Sequence, residues 1–286
     1  MNINWYPGHM KVAFDNFKKN LKLIDIVVEL IDARIPFSSK NPKIDEILEN
    51  KPSVLLFNKI DLADEYTTKK WKEYYESIGK KVLLVNANQN KGLNNLRQIL
   101  EDELSEKFKR DEQKLIKDKT IKMMMVGIPN VGKSTLINTL SKRTGAKVGN
   151  LPGVTRNIQW IKTPGKIELL DTPGVLWPKF ENKEIGLNLA FVGSIDDDIL
   201  DVENLSYELI KKLNKIDPNI LKNRYNIEFD LDTDIAYIMD MIGERRGAIL
   251  KKGIIDYDKV SRMILREFRL GKLGRISLEK VSDFFG

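Results

Sequence analysis

The chain contains no cysteine and a single histidine, His9, among its 286 residues. The absence of cysteine excludes disulfides, thiolate catalysis and cysteine-ligated zinc, and one histidine cannot build a histidine-rich metal site. Any metal that this protein holds must therefore be bound by oxygen atoms.

Long hydrophobic runs are also missing. The apolar stretches, such as Leu23 to Leu30, are short and interrupted by acidic residues, and the first residues lack the apolar core of a signal peptide. We therefore expect a cytoplasmic protein without a membrane span. With 42% hydrophobic and 31% charged residues, the chain is long enough for one large or two ordinary globular domains.

Positive charge is concentrated near the C-terminus. The net charge is +7, and the stretch from Arg245 to Lys280 holds 11 basic against 4 acidic residues, an excess that equals the whole net charge. Helical spacing inside this stretch places four basic side chains on one face, opposite an apolar face. They are Lys259, Arg262, Arg266 and Arg269. We interpret this face as a contact for RNA phosphates, with a merely solvated face as the alternative.

The first half of the chain alternates short apolar runs with amphipathic segments, which is typical of βα units on a mostly parallel, doubly wound sheet. Strands are predicted at Ile24–Ile31, Ser53–Phe57, Lys81–Val85, Thr120–Val126, Asn157–Ile161 and Ile167–Leu170. Helices are predicted near Pro42–Glu49, Tyr66–Ile78, Leu93–Lys107 and Lys133–Lys142. Helical spacing dominates after about Pro178. We therefore expect an α/β domain over residues 1–178, with a charged linker at about 108–120, and an all-helical domain over 179–286.

A phosphate-binding loop is predicted by the segment MMMVGIPNVGKST, which joins an apolar strand to the pattern Gly127–Ser134 and a helix. In that context, backbone N–H groups surround phosphate oxygens at a helix N-terminus. Lys133 would reach the β- and γ-phosphates and Ser134 would bind Mg²⁺. The further predicted nucleotide contacts in this segment are Asn130, Val131, Gly132 and Thr135.

Two later segments fit the same chemistry. Asp171 and Gly174 directly follow an apolar strand, where a carboxylate can hold the Mg²⁺ shell and a glycine N–H can meet the γ-phosphate. Thr155, between the phosphate loop and that strand, is predicted to supply a second hydroxyl to Mg²⁺ that depends on the γ-phosphate.

The tetrapeptide Asn-Lys-Ile-Asp, a guanine-binding pattern, occurs twice, at Asn58–Asp61 and at Asn214–Asp217. A base-binding loop belongs at the carboxyl end of a strand beside the phosphate loop. The first copy follows the apolar run PSVLLF, whereas the second lies in the helix-patterned segment SYELIKKLNKIDPN. We therefore assign guanine binding to the first copy and predict that the second is a surface helix end.

Each residue of the first copy has a predicted role. Asp61 would accept the ring N–H and the exocyclic amine of guanine, Asn58 would brace the loop, and the stem of Lys59 would lie along the base. A second contact is predicted at Asn86 and Ala87, with the Ala87 N–H donating to the guanine oxygen. Base loops then precede phosphate loops, an order that circular permutation allows if a linker joins the old termini.

This order of motifs, NKID, NAN, GIPNVGKS, PGVT and DTPG, is preceded by WYPGHM and IDARIP and followed by REFRLGKLGRISLE. It resembles the circularly permuted GTPases, and most closely the bacterial ribosome biogenesis GTPase A family, over nearly the whole chain. The resemblance implies GTP hydrolysis linked to late maturation of the large ribosomal subunit, with the C-terminal helical domain touching ribosomal RNA.

The catalytic apparatus is less complete than this nucleotide site. Val175 follows Gly174 where many GTPases carry a water-positioning glutamine, so slow intrinsic hydrolysis is expected. His9 is the candidate to align water, and a histidine that only satisfies a loop carbonyl is an equal alternative. The resemblance also suggests that Asn130 holds K⁺ beside the phosphates. A membrane-surface switch and a GTP-gated binding protein with negligible hydrolysis stay open as other functions, and we expect a monomer.

Overall fold

The computed structural model describes residues 15, 17–48, 50–114, 120–141, 159–163, 166–172, 174, 176 and 182–285. Its described part contains one six-stranded sheet of order β3-β2-β1-β4-β6-β5, in which only β5 pairs antiparallel. The strands are β1 (Ile26–Asp32), β2 (Ser53–Asn58), β3 (Lys81–Leu84), β4 (Ile121–Gly127), β5 (Gln159–Thr163) and β6 (Ile167–Asp171).

Helices cover the sheet and fill the C-terminal third. They are α1 (Pro42–Leu48), α2 (Glu65–Ser77), α3 (Leu96–Glu103), α4 (Ser105–Gln113), α5 (Lys133–Ser141), α6 (Lys183–Phe191), α7 (Val202–Ile216), α8 (Asn219–Tyr225), α9 (Ile235–Arg246), α10 (Tyr257–Arg269) and α11 (Ser282–Phe285). Short 3-10 turns lie at Leu21–Leu23, Leu93–Asn95, Asp197–Ile199 and Lys251–Gly253. None of the helices in the described ranges is long and apolar enough to cross a membrane.

The sheet places two early strands beside the phosphate-loop strand. β1 is buried along its whole length and lies between β2 and β4, with Asp32 opposite Asn58 and Leu30 opposite Gly127. The carboxyl ends of β1, β2 and β4 therefore meet at one edge of the sheet, where ligands bind in doubly wound folds. This arrangement and the helices that follow confirm the predicted fold class, including its circular permutation.

The predicted linker contains a helix that the charge pattern concealed. α4 runs from Ser105 to Gln113, and its Phe108, together with Leu104 just before it, is buried in the core. The two apolar residues are four positions apart and so share a helix face. The Lys107 ammonium also lies 2.9 Å from the Asp25 carboxylate. The charged residues up to Gln113 therefore lie on a packed helix.

The C-terminal helices pack around α7, whose Leu205, Leu209 and Leu213 are fully buried at the predicted spacing. Their core is continuous with that of the sheet. α9 ends at Gly247 in the left-handed conformation (φ 63°), as expected for a helix C-cap.

The last segment of the chain returns to the α/β domain. Leu278 donates its N–H to Arg34 O (2.8 Å), and the Trp71 indole N–H donates to Glu279 O (3.0 Å). The Phe284 ring stacks on Phe37 with centroids 4.0 Å apart. The residues after α10 thus cover the base-loop side of the sheet, although they lie within the range assigned to the helical domain.

Candidate functional site

The phosphate loop connects β4 to α5, as the motif predicts. Asn130 (φ 59°) and Gly132 (φ 97°) adopt positive φ angles, and Lys133, the first residue of α5, is 7% exposed. A methyl group on Gly132 would lie 2.3 Å from Asn58 Nδ2. Glycine is therefore required at this position by both the backbone conformation and the close approach of Asn58.

Asn58 joins three loops at the edge of the sheet. Its Nδ2 donates to Val131 O at 2.8 Å, and its Oδ1 accepts the Ala87 N–H at 3.0 Å. Since the side chain is buried, these bonds replace water contacts that it would otherwise need. The predicted bracing role of Asn58 therefore corresponds to two hydrogen bonds, one to each neighbouring loop.

The two residues predicted to form the second guanine contact differ in their hydrogen bonds. The Ala87 N–H, expected to donate to the guanine oxygen, is bonded to Asn58. Asn86 Nδ2 is instead buried without a hydrogen-bond partner in the described part of the chain. The roles of Ala87 and Asn86 toward guanine stay predictions.

Lys59 spans from the base loop to the phosphate loop. Its ammonium donates to Asn130 O (2.7 Å) and lies 3.0 Å from Asp32 Oδ2. Asp32 is fully buried and accepts the Arg34 guanidinium through both oxygens at 2.9 and 2.8 Å. Burial alone would raise the pKa of the Asp32 carboxyl, but Arg34 and Lys59 hold that pKa well below its usual range.

The segment IDARIP therefore has a structural role that the sequence did not reveal. Asp32 ends β1 beside Asn58 and orients Lys59, so it lies one layer behind the predicted guanine loop. The sequence signal for this role is an acidic residue at the end of a predicted strand, two positions before an arginine.

Asp61 and Asn86 line a common cleft of about 390 Å³ beside the base loop. Arg275, from the C-terminal segment, also lines it. The structure thus brings the two predicted base-contacting segments together, and it adds Arg275, which lies far from both segments in the chain.

Mg²⁺ is the metal that the motifs imply, and the described residues fit it. Ser134 is the second residue of α5, and Asp171 ends β6 opposite Met125 of the phosphate-loop strand. Gly174 reaches the same loop, because a methyl group on it would lie 3.0 Å from Pro129. The described residues contain no group of three His, Cys, Asp or Glu side chains that could hold a metal ion.

The phosphate loop is also tied to the turn after α6. Asn130 Nδ2 donates to Gly193 O (2.6 Å), and Ser194 Oγ donates to Pro129 O (2.9 Å). The amide of Asn130, predicted as a K⁺ ligand, is therefore engaged with the protein backbone. These contacts join the nucleotide site directly to the helical region.

The second Asn-Lys-Ile-Asp copy is a helix end, as predicted. Asp217 caps α7, and its carboxylate accepts the Asn219 N–H at 2.9 Å. Asn214, however, is buried and not at the surface, with its Nδ2 directed at Leu231 O.

The predicted basic face of α10 is only partly free for a partner. Arg269 turns inward and binds the carboxylate of Asp197 and the carbonyls of Ala190 and Phe191, so its place among the RNA contacts is corrected. Arg262 pairs with Asp258 but stays exposed. The sequence interpretation did not pair Arg269 with Asp197 because the two lie far apart in the chain, whereas Asp258 lies only four positions before Arg262.

Two predicted residues, His9 and Thr155, lie outside the described residues, as does Val175. The side chain of Asp171 is likewise not described. Their roles stay predictions.

Comparisons with known proteins agree with this geometry. A model described as 50S ribosome-binding GTPase matches residues 122–245. The chain is 45% identical to ribosome biogenesis GTPase A of Bacillus cereus over 99% of this chain and 96% of the relative, and 31% identical to that of Thermotoga maritima over 98% and 95%. The solved GNP-bound YlqF from T. maritima covers 94% of this chain and 98% of its own, with 28% identity and a TM-score of 0.65.

Proposed function

Because this chain belongs to the ribosome biogenesis GTPase A family, we propose that it hydrolyses GTP on the precursor of the large ribosomal subunit, late in assembly. We further propose that the ribosomal particle stimulates this hydrolysis. The observation that carries the proposal is the meeting of the base loop, the Asn86–Ala87 loop and the phosphate loop at Asn58. These three parts bind a guanine nucleotide only when they meet at one edge of the sheet.

Guanine recognition is assigned to Asp61, whose carboxylate accepts the ring N–H and the exocyclic amine. Adenine presents no such pair of donors, so ATP would leave the carboxylate unpaired, and a site of this kind rejects the wrong base by about 10⁴-fold. The stem of Lys59 lies against the base while its ammonium stays on Asp32 and Asn130.

Phosphate binding is assigned to the N-terminus of α5. Backbone N–H groups of Asn130 to Thr135 surround the phosphates, and Lys133 neutralises the β- and γ-phosphate charge. Ser134, Thr155 and Asp171 would supply oxygens to Mg²⁺, and the bound ion would neutralise charge on the phosphates. The Gly174 N–H meets the γ-phosphate.

The residues assigned to the nucleotide above do not include one that positions the attacking water. Valine at position 175 cannot orient water, so we propose that the free protein is slow and that His9 aligns the attacking water on the particle. His9→Ala is expected to lower turnover on the particle sharply while GTP still binds. Unchanged turnover on the particle would eliminate His9 from catalysis.

Potassium activation is a separate proposal. Asn130 would have to leave Gly193 O to coordinate K⁺, so cation binding and the link to the helical region would compete for one amide. Hydrolysis rates measured in K⁺ and in Na⁺ decide this: equal rates would refute a K⁺ role.

RNA contact is assigned to the outer side of α10. Arg262, Arg266 and Lys272 line a shallow groove of about 360 Å³, and Lys259 is exposed on the same helix. Contacts of this kind bind phosphate without base recognition, so affinity should fall steeply with salt.

The test is phosphate release from GTP and from ATP, with and without large ribosomal subunits. We expect slow release alone, stimulation by the subunits with GTP, and none with ATP. Co-sedimentation with large subunits, compared with anionic liposomes, separates a ribosomal from a membrane-surface partner. Hydrolysis that stays negligible on the subunits would favour a GTP-gated binding protein. Sedimentation velocity of the free protein tests the expected monomer.

A further inference from the structure

The loop that carries Asp61 is held from outside by the far end of the chain. This loop runs from Ile60 to Asp64 between β2 and α2, and its own backbone contributes a bond from the Leu62 N–H to Lys59 O at 2.9 Å. The outward carbonyls of this loop belong to neither a helix nor a strand, so regular secondary structure supplies no donors to them. Donors from elsewhere in the chain bond to them.

The segment Gly271–Ser277 supplies those partners. Arg275 donates from Nε to Ala63 O (2.9 Å) and from Nη2 to Ile60 O (3.2 Å). The Ile276 N–H donates to Leu62 O (2.9 Å). In the opposite direction, the Asp64 N–H donates to Ser277 Oγ (3.1 Å). Four hydrogen bonds thus fix the peptides on both sides of Asp61.

Packing reinforces these bonds. Gly271 has φ 72°, and a methyl group there would lie 2.6 Å from Leu62 Cδ2. Leu273 and Ile276 are buried. The segment is therefore docked against the loop by a close backbone approach and by apolar contacts, as well as by polar groups.

Such bracing matters because Asp61 reads guanine through two hydrogen bonds at once. Both weaken steeply when the angle at the donor departs from linearity, so a small rotation of this loop lowers affinity for guanine. Arg275 also faces the cleft that Asp61 and Asn86 line.

We propose that Gly271–Ser277, with Arg275 as its principal side chain, is a positioning element for guanine recognition. This inference rests on the guanine-reading role proposed above for Asp61. Since coupling between two sites is reciprocal, bound nucleotide holds the segment in place, and any ligand that prefers the segment undocked promotes nucleotide release.

The test compares binding of GDP and inosine diphosphate to the full chain and to Arg275→Ala, Arg275→Lys and Lys280→Ala. Inosine lacks the exocyclic amine that Asp61 reads. Arg275→Ala is expected to weaken GDP binding about five- to tenfold, the size expected for loss of one charged donor pair, and to weaken inosine diphosphate less. Arg275→Lys should bind GDP more tightly than Arg275→Ala, because the lysine ammonium still supplies one donor group.

Lys280→Ala is the matched control, since Lys280 is exposed in the same C-terminal stretch and its side chain does not reach the loop. It should bind both nucleotides like the unchanged chain. Wild-type GDP and inosine affinities in Arg275→Ala would overturn the inference, and so would an equal loss of both, which indicates general destabilisation. If the unchanged chain does not bind GDP more tightly than inosine diphosphate, the guanine-reading role proposed for Asp61 is wrong.

Hydrogen exchange gives an independent measurement. GDP is expected to slow exchange at the Ile276 N–H, whose acceptor is Leu62 O in the base loop. Exchange at Ile276 that is the same with and without GDP would contradict the coupling.

Discussion

At the scale of single residues, Asn58 determines how the nucleotide site is assembled. It contacts both the phosphate loop and the Ala87 loop through one amide, and no shorter or singly functional side chain could do so. The charged residues behind it, Asp32, Arg34 and Lys59, form a buried network in which each charge has a partner. This network is the least replaceable part of the site.

We predict that Asp32→Asn lowers the free energy of unfolding by about 3–5 kcal/mol, because it leaves the buried Arg34 charge uncompensated. Urea unfolding measures the effect. The matched control is Glu73→Gln, which breaks the exposed pair with Lys70 and should cost less than about 1 kcal/mol. Similar losses in the two variants would contradict the account of this network.

At the scale of elements, the turn after α6 connects the phosphate loop to α10. Asn130 and Pro129 are bonded to Gly193 and Ser194, and Arg269 at the end of α10 is bonded to the last carbonyls of α6. A change at the phosphates therefore has a short, fully bonded path into the helical region.

We predict that Arg269→Ala lowers the free energy of unfolding by about 2–3 kcal/mol, because it removes charge-assisted bonds to Asp197 and to two carbonyls. Arg262→Ala, on the same helix, breaks an exposed pair and should change the free energy of unfolding far less than Arg269→Ala does. RNA binding should respond in the reverse order, with the larger loss in Arg262→Ala. If Arg269→Ala stays stably folded but binds RNA more weakly, while Arg262→Ala binds RNA normally, Arg269 belongs to the RNA-contact face as the sequence predicts.

The elements that could be predicted from the sequence are those with local signals. The strands are predicted within two residues of their observed bounds, and the first Asn-Lys-Ile-Asp copy begins at the end of β2 while the second lies at the end of α7. The assignment of guanine binding to the first copy stays a prediction. The first three residues of α4 lie in the helix predicted over Leu93–Lys107, and the rest is assigned to the linker because Phe108 is the one apolar residue among its charges. The inward turn of Arg269 was missed because its partners lie more than 70 residues away, which helical spacing does not report.

At the scale of the whole molecule, the C-terminal segment closes onto the α/β domain. Glu279 is buried and accepts hydrogen bonds from the Phe37 N–H, the Ser38 N–H and hydroxyl, and the Asn188 amide. The contacts with Phe37 and Ser38 join residues about 240 positions apart, and the contact with Asn188 spans 91 positions, so no periodicity in the sequence indicates them. The two predicted domains consequently share this junction.

We predict a stability change with pH from Glu279, because burial raises the pKa of its carboxyl from 4.5 to about 7. Between these values the folded chain binds the proton and the unfolded chain does not, so this contribution to stability falls as pH rises from 4.5 to 7. This contribution of Glu279 to the free energy of unfolding is at most about 3 kcal/mol, and it is fully lost above pH 7. Unfolding at several pH values should show this slope in the unchanged chain and not in Glu279→Gln. Parallel pH profiles would contradict it.

The central claim is that Asn58–Asp61, and not Asn214–Asp217, reads guanine in a circularly permuted site. Its most direct test is binding of GDP and xanthosine diphosphate to Asp61→Asn and Asp217→Asn. Asp61→Asn should weaken GDP binding by about 100-fold or more and gain xanthosine diphosphate, because its amide donates to the xanthine oxygen. Asp217→Asn should bind GDP like the unchanged chain. Loss of GDP binding in Asp217→Asn, with Asp61→Asn unaffected, would contradict the claim.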